Sequence, residues 1–179
     1  RQIREDEAKT DHYEDIIGSY LVKLSARKIG ESDSALAAEY LRIIGDFERI
    51  ADHSVNILES AEEMQQKDIA FSAAALQEYA TMAGAVREVT ALAYDSFVSG
   101  DVQAARQVEP LEQVIDDLKE EMRTRHIHRM QQGSCGIEAG FIWSDLLTNL
   151  ERVSDHCSNI ACCMIEGADH NLHRHEVLQ

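Results

Sequence analysis

Two stretches of the chain, "FERIADHSVNI" (47–57) and "LERVSDHCSNI" (150–160), repeat Glu, Arg, Asp, His, Asn and Ile at the same spacing, so that Glu48 and Asp52 recur as Glu151 and Asp155. Residues four apart on a helix stand about 6 Å apart along the axis and ~40° around it, so each Glu–Asp pair shares a face. That face is not the solvent face. Glu48 lies in line with Ile44, Ala51 and Val55, and Glu151 with Leu147, Ser154 and Ser158. A carboxylate held against an apolar stripe either takes up a proton or finds a cation, because burial penalises its charge. The chemistry these residues point to is cation binding.

Two further pairs at the same spacing lie upstream. Glu7 and Asp11 begin 41 residues before Glu48, and Glu112 and Asp116 begin 39 residues before Glu151. If each set forms an antiparallel helical hairpin, four carboxylates meet, twice over, as a multinuclear cation site. Hard oxygen donors suit Mg, Mn, Ca or iron; a tetrahedral zinc site, which calls for Cys or His, fits less well. The competing structural reading is a charge array in which Arg49 and Arg152 pair with their neighbours. His53 and His156 follow the aspartates directly and so turn about 100° away, which suits a satisfied histidine between helices. Asn56 and Asn159, four beyond the aspartates, stay on the carboxylate face, either as donors to it or as buried amides.

Helices must position all of this. Apolar residues recur at helical spacing almost throughout, with no sustained alternation of period two. The pattern predicts a first helix from near the start to Lys28 ahead of Gly30, and a second from the capping residues "ESDS" (31–34) to about Met64. A third runs from about Ile69 to Val98 before Gly100. A fourth spans about Asp101 to Met130, with Pro110 kinking it or marking its true first turn. After the loop "QQGSCG" (131–136), a fifth spans Ile137 to Glu166 with Gly167 as its stop. Five long helices with short connections predict an all-α antiparallel bundle. Helices one and two match four and five, so residues 1–66 form an incomplete first repeat of two helices and 67–167 a complete second repeat of three. Residues 168–179, with His170, His173 and His175, form a tail that reads as frayed.

The composition limits the partners. With 33 acids against 17 bases the net charge is −16, and no basic patch is available for a nucleic acid. The four cysteines form no metal-ligand spacing or disulfide framework and read as small apolar residues in a reducing compartment. No apolar run approaches bilayer length. The opening "RQIRED" has no methionine and reads as a piece of something longer.

"DFERIADHSVNI" and "NLERVSDHCSNI" resemble the signature of the PhoU family, helical regulators of bacterial phosphate uptake. "YEDIIGSYLVKLSARKI" leading into "RIIGDFERIADH" is most similar to the PhoU-like cytoplasmic domain at the C-terminus of bacterial sodium/phosphate cotransporters. The resemblance implies two three-helix units, here without the first helix of the first unit. It also implies clusters of iron, or of another cation such as Mn, Mg, Ca or Zn, held by Glu48, Asp52, Glu151 and Asp155, with Glu7, Asp11, Glu112 and Asp116. It implies a non-enzymatic regulator at the inner face of the cell membrane. The partner would be a phosphate transporter or the chain's own upstream transmembrane domain. The missing helix would leave apolar surface for a second copy to cover, giving a homodimer. The alternatives are a carboxylate-bridged metal enzyme, for which no Glu-x-x-His motif is present, and a metal-free helical adaptor.

Overall fold

The computed structural model describes residues 1–27 and 29–177, with side chains described as far as Ala168. Its elements are α1 (Gln2–Ser25), α2 (Glu31–Gln66), α3 (Ala73–Ser99), the single turn α4 (Val102–Ala105), α5 (Val108–Gln131) and α6 (Ile137–Val177). The five long helices are those expected, and no strand occurs among the described residues.

The boundaries follow local chemistry. Ser72, not the residues near Ile69, starts α3: its hydroxyl accepts from the backbone N–H of Ala75 at 3.2 Å. Gly100, at φ 68°, ends that helix in the left-handed conformation a glycine adopts freely. Asp101 then caps α4 through the N–H groups of Gln103 and Ala104. Pro110 marks the first turn of α5, where its missing N–H breaks no bond. At the start of α2 the capping position is Gly30 rather than a residue of "ESDS".

The expected stop at Gly167 is corrected: α6 continues to Val177, through most of the expected tail. The glycine serves close approach instead. A Cβ there would lie 2.5 Å from Oε2 of Glu39 on α2, so the missing side chain lets α6 pass over that residue. The side chains of His170, His173 and His175 lie outside the described residues.

Helices α1 and α2 form an antiparallel hairpin, with Gly18 against Leu41 and Ile44 and Arg4 bonded to Glu59 and Glu62. Helices α3, α5 and α6 form a three-helix bundle, and the two units join where α2 packs along α6. The core lies mostly in the second unit: Met82, Val89, Val108, Ile115, Trp143, Cys157 and Ile160 are essentially inaccessible, with Ile43 reaching in from α2. Burial pushes the Cys157 thiol up to about 11, so it behaves as an apolar residue. Cys163 is also buried, whereas Cys162 is exposed. No helix among the described residues is long and apolar enough to cross a membrane.

Because Ile115 is fully buried and Ile16 is 51% exposed, truncating them should have unequal costs. Ile115→Ala should lower the free energy of unfolding by about 3 kcal/mol, and Ile16→Ala by at most about 0.5 kcal/mol, as read from urea denaturation followed by circular dichroism.

Candidate metal site and the interface that carries it

Ile115 turns inward between Glu112 and Asp116, which presents both carboxylates of α5 toward α6. There they meet Asp155, fixed on α6 between the buried Ser154 and Cys157. Glu112, Asp116 and Asp155 are half-buried, and each offers an oxygen within 4.8 Å of the others. Oxygens on opposite sides of one hard cation stand about 4.6–5.2 Å apart, so this spacing suits a shared ion. Glu151, one turn earlier on α6, is 13% exposed. One of its oxygens accepts from Lys119 Nζ at 2.8 Å; the other is buried without a hydrogen bond, with Arg152 Nε 3.9 Å away, and Oδ1 of Asp116 is likewise buried without a hydrogen bond. Arg152 reaches Asp155 Oδ2 at 3.1 Å.

Four carboxylates therefore face two cations, leaving two negative charges uncompensated. Burial, then the neighbouring Asp116 and Asp155, push the Glu112 carboxyl above its ordinary range. Burial and Glu151 do the same to Asp155, against the opposing pull of Arg152. All four residues expected for the second repeat are thus brought to one place, with three of them in ligand geometry.

The first repeat is arranged differently. Glu48 is raised by burial and by Asp52, with which it shares a hydrogen bond. Glu14 contributes as well, since Gly18 packs at Leu41 and Ile44 and the preceding turn of α1 therefore faces Glu48. Asp11 is exposed and Glu7 only half-buried. Among the described residues these acids form no group of ligand spacing with Glu48 and Asp52. The expected four-carboxylate cluster is not assembled there.

The repeated His and Asn have a separate task. His53 Nδ1 contacts Oδ1 of Asn149 at 2.8 Å, and Asn56 donates to the same oxygen at 3.2 Å. His156 Nδ1 contacts Oδ1 of Asp46 at 2.8 Å, and Asn159 donates to it at 3.2 Å. Asp46 and Asn149 occupy the same place in the two repeats, two residues before the glutamate. Each copy of the motif thus grips the other across α2 and α6, and the two imidazoles stack at 5.5 Å between them. The histidines are satisfied groups between helices, as their rotation suggested. Asn56 and Asn159 belong to this interface rather than to the carboxylate face.

Sequence reasoning missed Lys119, Glu14, Asp46 and Asn149. Lys119 could have been found three residues after Asp116 and four after Ile115, on the same face of α5. Asp46 and Asn149 differ in type, so a comparison of repeats by identity passes over them.

The PhoU domain family matches residues 1–61 and 79–164. The phosphate-specific transport system accessory protein PhoU homolog 1 of Thermotoga maritima is 31% identical over 120 residues, 67% of this chain and 51% of that protein. The phosphate-specific transport system accessory protein PhoU homolog of Deinococcus radiodurans is 26% identical over 132 residues, 72% of this chain and 59% of that protein. The chain thus spans between half and three-fifths of the length of these relatives. A crystal structure of PhoU from Pseudomonas aeruginosa superposes with a TM-score of 0.86 at 23% identity, covering 94% of this chain and 80% of that one, which establishes the fold.

Two outcomes follow from the geometry. A carboxyl raised by folding stabilises the fold below its unfolded pKa, and that contribution is lost as pH rises through its folded value. Glu112→Gln should therefore raise the melting temperature of the EDTA-treated chain at pH 7 by about 2 °C, with the difference fading as the pH falls into the carboxylate range; calorimetry across that range is the check. Double-mutant cycles on His156–Asp46 and His53–Asn149 should return coupling of about 1–2 kcal/mol, larger for the pair that contains the aspartate.

Proposed function

The chain belongs to the PhoU family, and from that premise we propose that it is a regulatory, non-catalytic unit of phosphate uptake whose α5–α6 carboxylates bind a metal cation. Glu112, Asp116 and Asp155 hold the ion, and Glu151 joins them when Lys119 withdraws. The observation that carries this reading is the ligand spacing of Glu112, Asp116 and Asp155, with Asp116 Oδ1 and Glu151 Oε2 buried beside it without a hydrogen bond. A hydrated divalent ion supplies the two missing charges without rebuilding the core. Oxygen donors suit iron, Mn, Mg or Ca, and zinc in a carboxylate-rich form. Glu48, Asp52 and Glu14 lie near one another on the first repeat but lack the ligand spacing of this group.

Binding links to regulation through charge. Loading the site removes the local negative excess from the α5–α6 surface, which changes how readily that surface meets a partner. The partner under this reading is a membrane phosphate transporter, in keeping with relatives that are accessory proteins of phosphate-specific transport systems. Against the metal-enzyme alternative, His53 and His156 are turned toward Asn149 and Asp46 and offer the cluster no imidazole. The metal-free adaptor has one specific support: Lys119 and Arg152 already neutralise part of the group.

Elemental analysis of protein prepared without a His tag separates these readings. The parent chain should carry bound metal. Asp116→Asn with Asp155→Asn should lose at least about tenfold in affinity for Mn²⁺ or Fe²⁺, with helicity unchanged by circular dichroism. Glu151→Gln alone should have a smaller effect, because that side chain is engaged by Lys119. Equal metal content in the parent and the double variant would remove the site from consideration.

A further inference from the structure

The two repeats place opposite charges at one equivalent position. Helices α1 and α5 align at an offset of 105 (112 − 7), and α2 and α6 at 103 (151 − 48). Glu7, Asp11 and Asp15 are matched by the acids Glu112, Asp116 and Glu120, but Glu14 is matched by Lys119. Each of these two side chains acts on the glutamate of its own hairpin's motif. In the first repeat Glu14 repels Glu48 and helps to raise its carboxyl. In the second, Lys119 Nζ lies 2.8 Å from Glu151 Oε1, with the two side chains only 22% and 13% exposed. The other base beside the motif does not account for the difference, since Arg49 and Arg152 occupy the same place in the two repeats.

Charge then limits how many ions the α5–α6 group takes. Glu112, Asp116, Glu151 and Asp155 carry four negative charges, and Lys119 and Arg152 offset two, which leaves an excess that one divalent ion cancels. The ammonium is already a cation seated against Glu151. A metal ion beside that carboxylate would have to displace it or stand against its repulsion. An acid at position 119, such as the first repeat has at 14, would double the excess from two charges to four, which matches two divalent ions. We propose that Lys119 is a built-in counter-cation that keeps one metal ion out of the α5–α6 group. The proposal rests on the reading of Glu112, Asp116 and Asp155 as a metal site, and adds to it the residue that sets how many ions enter.

Isothermal titration calorimetry with Mn²⁺ on the EDTA-treated chain is the test. The parent chain should take up about one ion and Lys119→Glu about two. Lys119→Glu combined with Glu151→Gln should return to about one, which ties the added ion to Glu151 rather than to acids elsewhere on the chain. Should Lys119→Glu prevent folding, Lys119→Met takes its place. It removes the ammonium, keeps most of the stem, and should bind Mn²⁺ at least about tenfold more tightly than the parent. The proposal is overturned if Lys119→Glu takes up no more metal than the parent, or if the added ion persists in the double variant. For Lys119→Met, an affinity equal to the parent's overturns it. A parent chain without metal removes only the reading of the native site when Lys119→Glu still takes up one ion more. With uptake by neither, the site and the role of Lys119 fall together.

Discussion

The rest of the structure depends on the α2–α6 contact, where each repeat is held by polar groups of the other. A long interface between two amphipathic helices can slide by one turn at little cost in apolar area, because any ridge fits several grooves. Directed hydrogen bonds remove that freedom. His53 and Asn56 converge on one oxygen of Asn149, and His156 and Asn159 converge on one oxygen of Asp46, so a slip of one turn would break four bonds and strand the two half-buried imidazoles. An unpartnered polar group in a half-buried interface costs on the order of 1–3 kcal/mol. Register along this contact is thereby specified far more sharply than packing alone would specify it.

That register sets where the acids go. On α2 and α6 the Asp of each motif precedes the His by one position, so fixing the imidazole toward the opposite repeat turns the carboxylates toward the motif's own hairpin partner. In the second repeat α5 meets them with Glu112 and Asp116. In the first, the turn of α1 facing Glu48 carries Glu14, and Asp11 remains in solvent. The same motif thus produces a three-carboxylate cluster of ligand spacing in one half and a close Glu–Asp pair in the other. The difference lies in the less constrained helix of each hairpin. Helix α5 is held by α3 and α6 together, while α1 packs chiefly on α2.

The legibility of these features in the sequence divides along the same line. The helical class, the five long helices and the inward set of Glu151 and Asp155 could all be read from periodicity and repetition. Repetition also singled out His53 and His156, and their rotation away from the acids agrees with their contacts to Asn149 and Asp46 between the helices. The contribution of Asn56 and Asn159 was misplaced because helical rotation is only one coordinate. A side chain near the border of two faces goes to whichever side offers an acceptor, and the acceptors were 93 and 113 residues away in sequence. Lys119 escaped notice for a related reason: one base among many acids has meaning only once its distance to Glu151 is known. Gly167 shows the opposite failure. Its position after a long apolar run suggested a stop, yet its lack of a side chain answered a demand made by Glu39 on another helix.

The electrostatic consequence ties the two halves together. Charge is tolerated at the α5–α6 cluster because Lys119 and Arg152 supply part of its compensation and the flanking core fixes the backbone against repulsion. The α1–α2 hairpin pairs Arg4 with Glu59 and Glu62 in the open rather than beside a core, and it bears most of the chain's acid excess. One half therefore gathers its excess negative charge into a single cluster in a rigid setting, whereas the other spreads its acids along an exposed hairpin. A change of charge at the cluster reaches the hairpin only across α2 and α6, through a contact whose register is already locked by hydrogen bonds. Coupling between the two would then act through long-range field and surface charge, falling off over about 10 Å at moderate salt, rather than through a rearrangement of the helices.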